Sequence, residues 1–123
     1  MKKFLLIILL SGFVGFSQNK GKLEFNNNVI DFGELMEGST AKESISFQNV
    51  GDQPVQIEKI SSTGHVNVER YPKNAVQPNS KNEIVVSYNT DKIGPIRRTL
   101  TIYSNAENSF ISIKIKGNVN KKD

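Results

Sequence analysis

Apolar and polar residues alternate one for one through most of the chain after residue 17. Ile45 and Phe47 alternate with Ser44, Ser46 and Gln48, Val55 and Ile57 with Gln56 and Glu58, and Val66 and Val68 with Asn67 and Glu69. Further on, Ile84, Val86 and Tyr88 alternate with Val85 and Ser87, and Leu100 and Ile102 with Thr99 and Thr101. Ile111, Ile113 and Ile115 alternate with Ser112, Lys114 and Lys116. A period of two puts successive side chains on opposite faces of an extended chain, so each run predicts a strand with one face in a core and one in water. No segment after residue 17 sustains the apolar stripe of a helix.

Clusters of turn-forming residues separate these runs. They fall at Asn26-Asn27-Asn28, Gly38-Ser39-Thr40, Val50 to Pro54, Gln77 to Ser80, Asp91 to Pro95 and Ser104 to Asn108. Short strands at this spacing predict an all-β fold, an immunoglobulin-like antiparallel β-sandwich of about seven strands. Its core takes Phe32, Phe47, Ile57, Ile84, Val86, Leu100, Ile102, Ile113 and Ile115. Without an internal repeat or a low-complexity linker, the chain reads as one domain over residues 20–119, with 120–123 as a short polar tail.

The N-terminus is of a different kind. Lys2 and Lys3 precede the unbroken apolar run Phe4 to Leu10, and Gly15-Phe16-Ser17 sets small residues around a cut before Gln18. Residues 1–17 therefore read as a signal peptide, and the protein as periplasmic or secreted. A retained anchor is the competing reading, but the apolar stretch falls short of the roughly 20 residues that a spanning helix needs. Cleavage leaves no stable membrane span. It also removes two lysines, which lowers the formal net charge from +4 to +4 − 2 = +2, and a remainder so near neutrality argues against a nucleic-acid partner.

The order of the segments carries more than their periodicity. Val29 to Gly38 (VIDFGELMEG), Ile45 to Gly51 followed by Pro54 to Ile57, Tyr88-Asn89-Thr90 with Gly94 to Ala106, and Ile113 to Val119 come in sequence. In this order they resemble the bacterial "domain of unknown function 1573" family over nearly all of the chain after residue 17. That family is similar in turn to Hydin-type and major-sperm-protein-like immunoglobulin domains. The resemblance implies the sandwich fold, export and a non-enzymatic role. Within the motifs, Asn49-Val50-Gly51 suits a tight turn with Gly51 at positive φ, and Pro54 can open an edge strand. Gly33 and Gly38 bracket a segment that bends between strands.

The sequence departs from the family at one place. Where the family often carries Cys-Gly-Cys, this chain has Thr63-Gly64-His65, with no cysteine anywhere and His65 as its one histidine. Thiol chemistry is thereby removed, and a single imidazole binds metal only weakly. Catalysis by His65 would need a nucleophile and an orienting carboxylate, with Ser61, Ser62 and Glu69 nearest in sequence. No nucleophile elbow, phosphate-binding loop, paired-His helix or calcium loop accompanies them, so neither enzyme activity nor a cofactor is expected. The carboxylates Asp31, Glu34, Glu37 and Glu43 read as a solvated edge.

Two candidate binding regions remain, the Thr63-Gly64-His65 loop and the basic residues Arg97, Arg98, Lys114 and Lys116 of the last two strands. Lys114 and Lys116 share one face with Thr99 and Thr101, either as ordinary solubilising and edge-protecting charge or as a positive stripe for an anionic partner. The function expected is an exported binding or scaffolding module of the envelope, whose partner is an envelope protein or an anionic envelope component. Protein recognition by strand addition would use Val29–Phe32 or the last strand, Phe110–Lys116, as its edge. The alternative is a metal-binding or redox accessory protein working through the Ser61–Val66 loop.

Overall fold

A computed structural model describes residues 20–123, so the signal peptide read at 1–17 lies outside the described residues. The chain forms eight strands: β1 (Leu23–Phe25), β2 (Val29–Met36), β3 (Lys42–Asn49), β4 (Ile57–Ser62), β5 (Val66–Arg70), β6 (Lys81–Tyr88), β7 (Gly94–Ser104) and β8 (Phe110–Asn120). They make two four-stranded sheets. The first has the order β1-β3-β6-β5 and the second β2-β8-β7-β4. All neighbours are antiparallel except β2 and β8, which run parallel. No helix interrupts the described chain.

The alternation read from the sequence is the alternation of the sandwich. Phe32, Phe47, Ile57, Ile84, Val86, Leu100, Ile102, Ile113 and Ile115 are all buried between the sheets, joined by Leu23, Ile30, Ile96 and Val119. Apolar burial of this kind dominates the folding free energy. Asn49 sits within this apolar layer at 0% exposure. Its Nδ2 donates to the Gln53 and Val76 carbonyls at 2.8 and 2.9 Å. Its Oδ1 accepts from the Lys22 and Gly51 amides at 3.2 and 3.0 Å.

Three sequence expectations are corrected. The last strand is an edge only in part, because from Lys114 to Asn120 β8 lies between β2 and β7, whereas Phe110 to Ile113 have β7 alone as a strand neighbour among the described residues. Its Ile/Lys alternation reflects one face in the core and one in water, which interior antiparallel strands share with edges. Gly51 does not adopt positive φ. A Cβ there would run into the Lys20 carbonyl and the Lys22 amide, so the residue is dictated by close backbone approach. Asn120, assigned to the tail, is the last residue of β8, and its carbonyl accepts from the Glu37 amide at 2.9 Å.

The chain changes sheets early. β1 pairs with β3 only from Leu23↔Asn49 to Phe25↔Phe47, and the Asn26–Asn28 turn then carries the chain to the second sheet, where β2 joins β8. Gly33 sits at φ +67° in the irregular stretch between Asp31 and Glu34, where the β2–β8 register shifts. Such a bulge bends an edge strand and adds twist.

Candidate functional site

The Thr63-Gly64-His65 loop joins β4, at the edge of the second sheet, to β5, at the edge of the first. Its polar groups close the fold. The Thr63 amide donates to the Thr99 carbonyl at 3.3 Å, and the Thr99 amide donates to Thr63 Oγ1 at 3.2 Å. Ser62 Oγ donates to the Val66 carbonyl at 3.0 Å, and the His65 carbonyl accepts from the Asn89 amide at 2.8 Å. His65 has φ 68°, is exposed, and holds its ring 6.0 Å from that of Tyr88.

The groups weighed for a triad do not converge. Glu69 accepts from Ser87 Oγ at 2.7 Å and lies 3.8 Å from Lys42 Nζ. Ser61 sits in the β4–β7 ladder opposite Thr101. Among the described residues, no group of three or more His, Cys, Asp or Glu side chains gathers to hold a metal.

The basic residues divide. Arg97 stands opposite Lys116 and Thr99 opposite Lys114 in the β7–β8 ladder, all on the outer face of the second sheet. Thr63 extends the second of these rows through its bonds to Thr99, so the loop and the basic stripe meet. Val29, Arg97, Thr99, Lys114 and Lys116 border a groove of about 560 Å³ on this face. Arg98 also borders this groove, but from the opposite side of its strand. It falls on the inward side of β7 between Ile96 and Leu100, opposite Ile115, and its Nε is buried with no acceptor among the described residues.

The backbone supplies a different kind of site. The Tyr88 amide donates to the Ala41 carbonyl and the Asn49 amide to the Ser80 carbonyl, both at 3.0 Å. In an antiparallel ladder the alternation then turns the amides and carbonyls of Glu43, Ile45 and Phe47 toward β6, and those of Lys42, Ser44, Ser46 and Gln48 away from it. On that far side β1 covers the end of β3, and the Asn26 amide takes the Ser46 carbonyl at 3.1 Å. Beyond this point the chain has left for β2, and Lys42 and Ser44 have no strand partner on that side among the described residues. A cleft of about 500 Å³ runs beside them, bordered by Asn27, Val29, Asp31, Glu43, Ser44 and Lys116.

β2, one of the two edges expected from the sequence, is an edge of the second sheet but a blunted one. The Lys114 amide donates to the Asn28 carbonyl at 2.9 Å, which turns the main-chain groups of Val29 and Asp31 outward. There the Val29 amide is taken by Asn27 Oδ1 at 3.1 Å and the Gly33 amide by Asp31 Oδ1 at 2.8 Å. Side-chain capping and the bulge both protect a strand from accidental pairing. The open stretch of β3 escaped the sequence reading. Its one local signal is the brevity of Leu23–Phe25 before three asparagines.

Two stacked sheets, with a first strand that divides between them, define an immunoglobulin-like sandwich of the PapD and major-sperm-protein type. Within that class the chain belongs to the DUF1573 family of proteins of unknown function, whose model matches residues 23–119. No curated protein matches the sequence. Among solved structures it is similar to a protein of unknown function from Porphyromonas gingivalis W83, with 19% identity and a TM-score of 0.69. The match covers 82% of this chain and 48% of that one, so this chain spans about half the length of that relative. It is similar also to the ASH/PapD-like domain 7 of human CEP192, with 12% identity, a TM-score of 0.66, and 85% and 89% of the two chains covered. WR4, an MSP family member from C. elegans, matches with 9% identity and a TM-score of 0.52, over 80% and 97% of the two chains. At these identities the likeness is one of fold.

Proposed function

We propose that the protein is an exported, non-enzymatic recognition module of the bacterial envelope that takes an extended protein segment as an added strand on β3. The observation that carries this reading is the open stretch at Lys42 and Ser44, where main-chain donors and acceptors face a cleft instead of a strand. In strand addition the main chain supplies affinity, and pockets for alternate side chains supply choice. The added segment continues the line of β1 and lays alternate side chains toward Val29, Ile30 and Ile45. Export rests on the positive, apolar and small-residue regions of residues 1–17.

Metal or redox work by the Ser61–Val66 loop is the less favoured reading, since the hydrogen bonds there close the fold and His65 is the one strong ligand type in the segment.

Ser44→Pro tests the proposal. Proline removes the outward amide and blocks an incoming strand, yet leaves the β3–β6 ladder intact because Ser44 does not donate to it. Proteins captured from an envelope extract by the wild type at high salt are expected to be lost by S44P. Equal retention by the variant refutes strand addition at β3.

A further inference from the structure

We infer that the outer face of the second sheet is a separate binding surface for an acidic polysaccharide, one bearing carboxylate or phosphate groups. It lies on a different sheet from the open stretch of β3, and Val29 and Lys116 stand where the two regions adjoin.

Charge is the first observation. The outward positions of β7 and β8 carry Arg97, Lys114 and Lys116 and no acidic residue, and β4 adds Lys59 beside the exposed Glu58 of its bulge. The one carboxylate paired with them is Asp31 of β2, 3.8 Å from Lys116 Nζ, with both side chains more than half exposed. The first sheet is built otherwise. Its ion pairs Lys42–Glu69, which reaches across β6, and Arg70–Glu83, between neighbouring strands, offset charge within the sheet. The first sheet thus offsets charge between its strands, whereas Arg97, Lys114 and Lys116 form a cationic centre on a second sheet whose carboxylates, Asp31, Glu34 and Glu58, stand on its edge strands β2 and β4.

The second observation is what accompanies the cations. Lys59, Tyr103 and Phe110 form a cross-strand row at one end of the face. Phe110 is 61% exposed, with its ring edge-on to Tyr103 at 5.3 Å between centroids and 79° between planes. Lys59 Nζ lies 5.6 Å from the Tyr103 ring centroid. The next row across the sheet is Ser61, Thr101 and Ser112, followed by Thr63, Thr99 and Lys114. Aromatic, hydroxyl and cationic rows thus succeed one another from Phe110 to Lys116, a span of roughly 20 Å along a strand.

This order of chemistries fits a sugar chain. An exposed ring stacks on the apolar face of a pyranose, hydroxyl rows exchange hydrogen bonds with ring hydroxyls, and the guanidinium of Arg97 with two ammonium groups receives carboxylate or phosphate. A single-stranded nucleic acid calls for aromatic platforms interleaved with the cations so that successive bases stack. Here the aromatic pair stands at one end with two rows of hydroxyls between it and Arg97 and Lys116. A lipid surface calls for apolar anchors beside the charges, and the groove bordered by Arg97, Lys114 and Lys116 adds only Val29 as an apolar side chain on the outer face.

The test is titration of the purified protein with polygalacturonate oligomers, alongside neutral dextran, an oligothymidylate and phosphatidylglycerol vesicles. Polygalacturonate is expected to bind and dextran not. K114Q/K116Q is expected to weaken binding roughly tenfold, and F110A about threefold with an unchanged salt dependence. S44P is expected to bind as the wild type does, which separates this surface from the β3 edge. All altered side chains are exposed, and unchanged melting temperatures check that each variant is folded. No binding of polygalacturonate, tighter binding of the oligonucleotide or the vesicles, or an F110A variant of wild-type affinity overturns the inference.

Discussion

Asn49 and Arg98 both place polar atoms in the interior, with opposite consequences. The amide of Asn49 is satisfied four times over, by groups from Lys22, Gly51, Gln53 and Val76, and it ties the β3 end to the chain before β1 and to the turn that follows. Truncation leaves the Gln53 carbonyl and the Lys22 and Gly51 amides without these partners and the Val76 carbonyl with the Val55 amide alone. Asn49→Ala is therefore expected to lower stability by at least about 3 kcal/mol. In a domain of this size that moves the thermal midpoint down by roughly 10 °C or more, measurable by circular dichroism. Asn49→Asp should be comparably harmful, because it sets a carboxylate oxygen against the Gln53 and Val76 carbonyls; a stable Asp variant would show that the two donated bonds contribute little. Arg98 is the reverse case. Its Nε is buried without an acceptor between Ile96 and Leu100. Arg98→Met keeps the length of the side chain and removes the unmet donor, and it is expected to raise stability by about 1 kcal/mol in urea unfolding. Loss of stability in that variant would mean that the guanidinium has a partner the described residues do not reveal. From sequence, Asn49 was legible as a turn residue but not as a hub, because its partners come from three separate segments. Arg98 was grouped with Arg97 because adjacent residues of a strand look alike until its register is known.

At the scale of the element, the strands were legible and their neighbours were not. Period-two alternation reports that one face of a strand is wet, and β8 and β5 both satisfy it although β8 is interior over most of its length and β5 is an edge. The strand order follows from where β1 stops. Three asparagines after Phe25 release the chain from β3, and β2 pairs parallel to β8 on the other sheet. The same departure leaves Lys42 and Ser44 open, so the proposed site is a by-product of topology and has no residue motif of its own. Adjacent positions on β3 should consequently behave very differently. Glu43 turns its amide toward β6, opposite Val86, whereas Ser44 turns its amide outward. Glu43→Pro breaks a ladder bond in a strand paired at that point only with β6, and is expected to reduce stability by at least about 2 kcal/mol. Ser44→Pro should stay within about 1 kcal/mol of the wild type in the same melt. Hydrogen exchange offers a second reading of the same geometry, with the Ser44 amide exchanging much faster than that of Glu43. Equal protection of the two would mean that something already covers the open side of β3.

For the molecule as a whole, the placement of charge distinguishes the two sheets, with Arg97, Lys114 and Lys116 gathered on the central strands of the second, and this could not be read from a composition that is nearly balanced. Asp31 joined Glu34, Glu37 and Glu43 in the sequence reading as a solvated edge, whereas its place on β2 opposite Lys116 makes it the one carboxylate paired with the cationic face. Asp31 has two separable roles. Its Oδ1 caps the Gly33 amide at 2.8 Å, and its Oδ2 lies 3.8 Å from Lys116 Nζ. Asp31→Asn retains an acceptor for Gly33 and removes only the charge. An ion pair this exposed contributes little to folding, so stability is expected to change by no more than about 0.5 kcal/mol. Binding should respond in the other direction, because Lys116 is freed and a repulsive carboxylate is lost from the edge of the groove. Polygalacturonate is expected to bind a few-fold more tightly to D31N than to the wild type at low salt, with the difference vanishing toward about 1 M salt as screening shortens the reach of the charge. Affinity unchanged by D31N at low ionic strength would mean that Lys116 takes no part in holding an anion, and would confine the basic surface to Arg97 and Lys114.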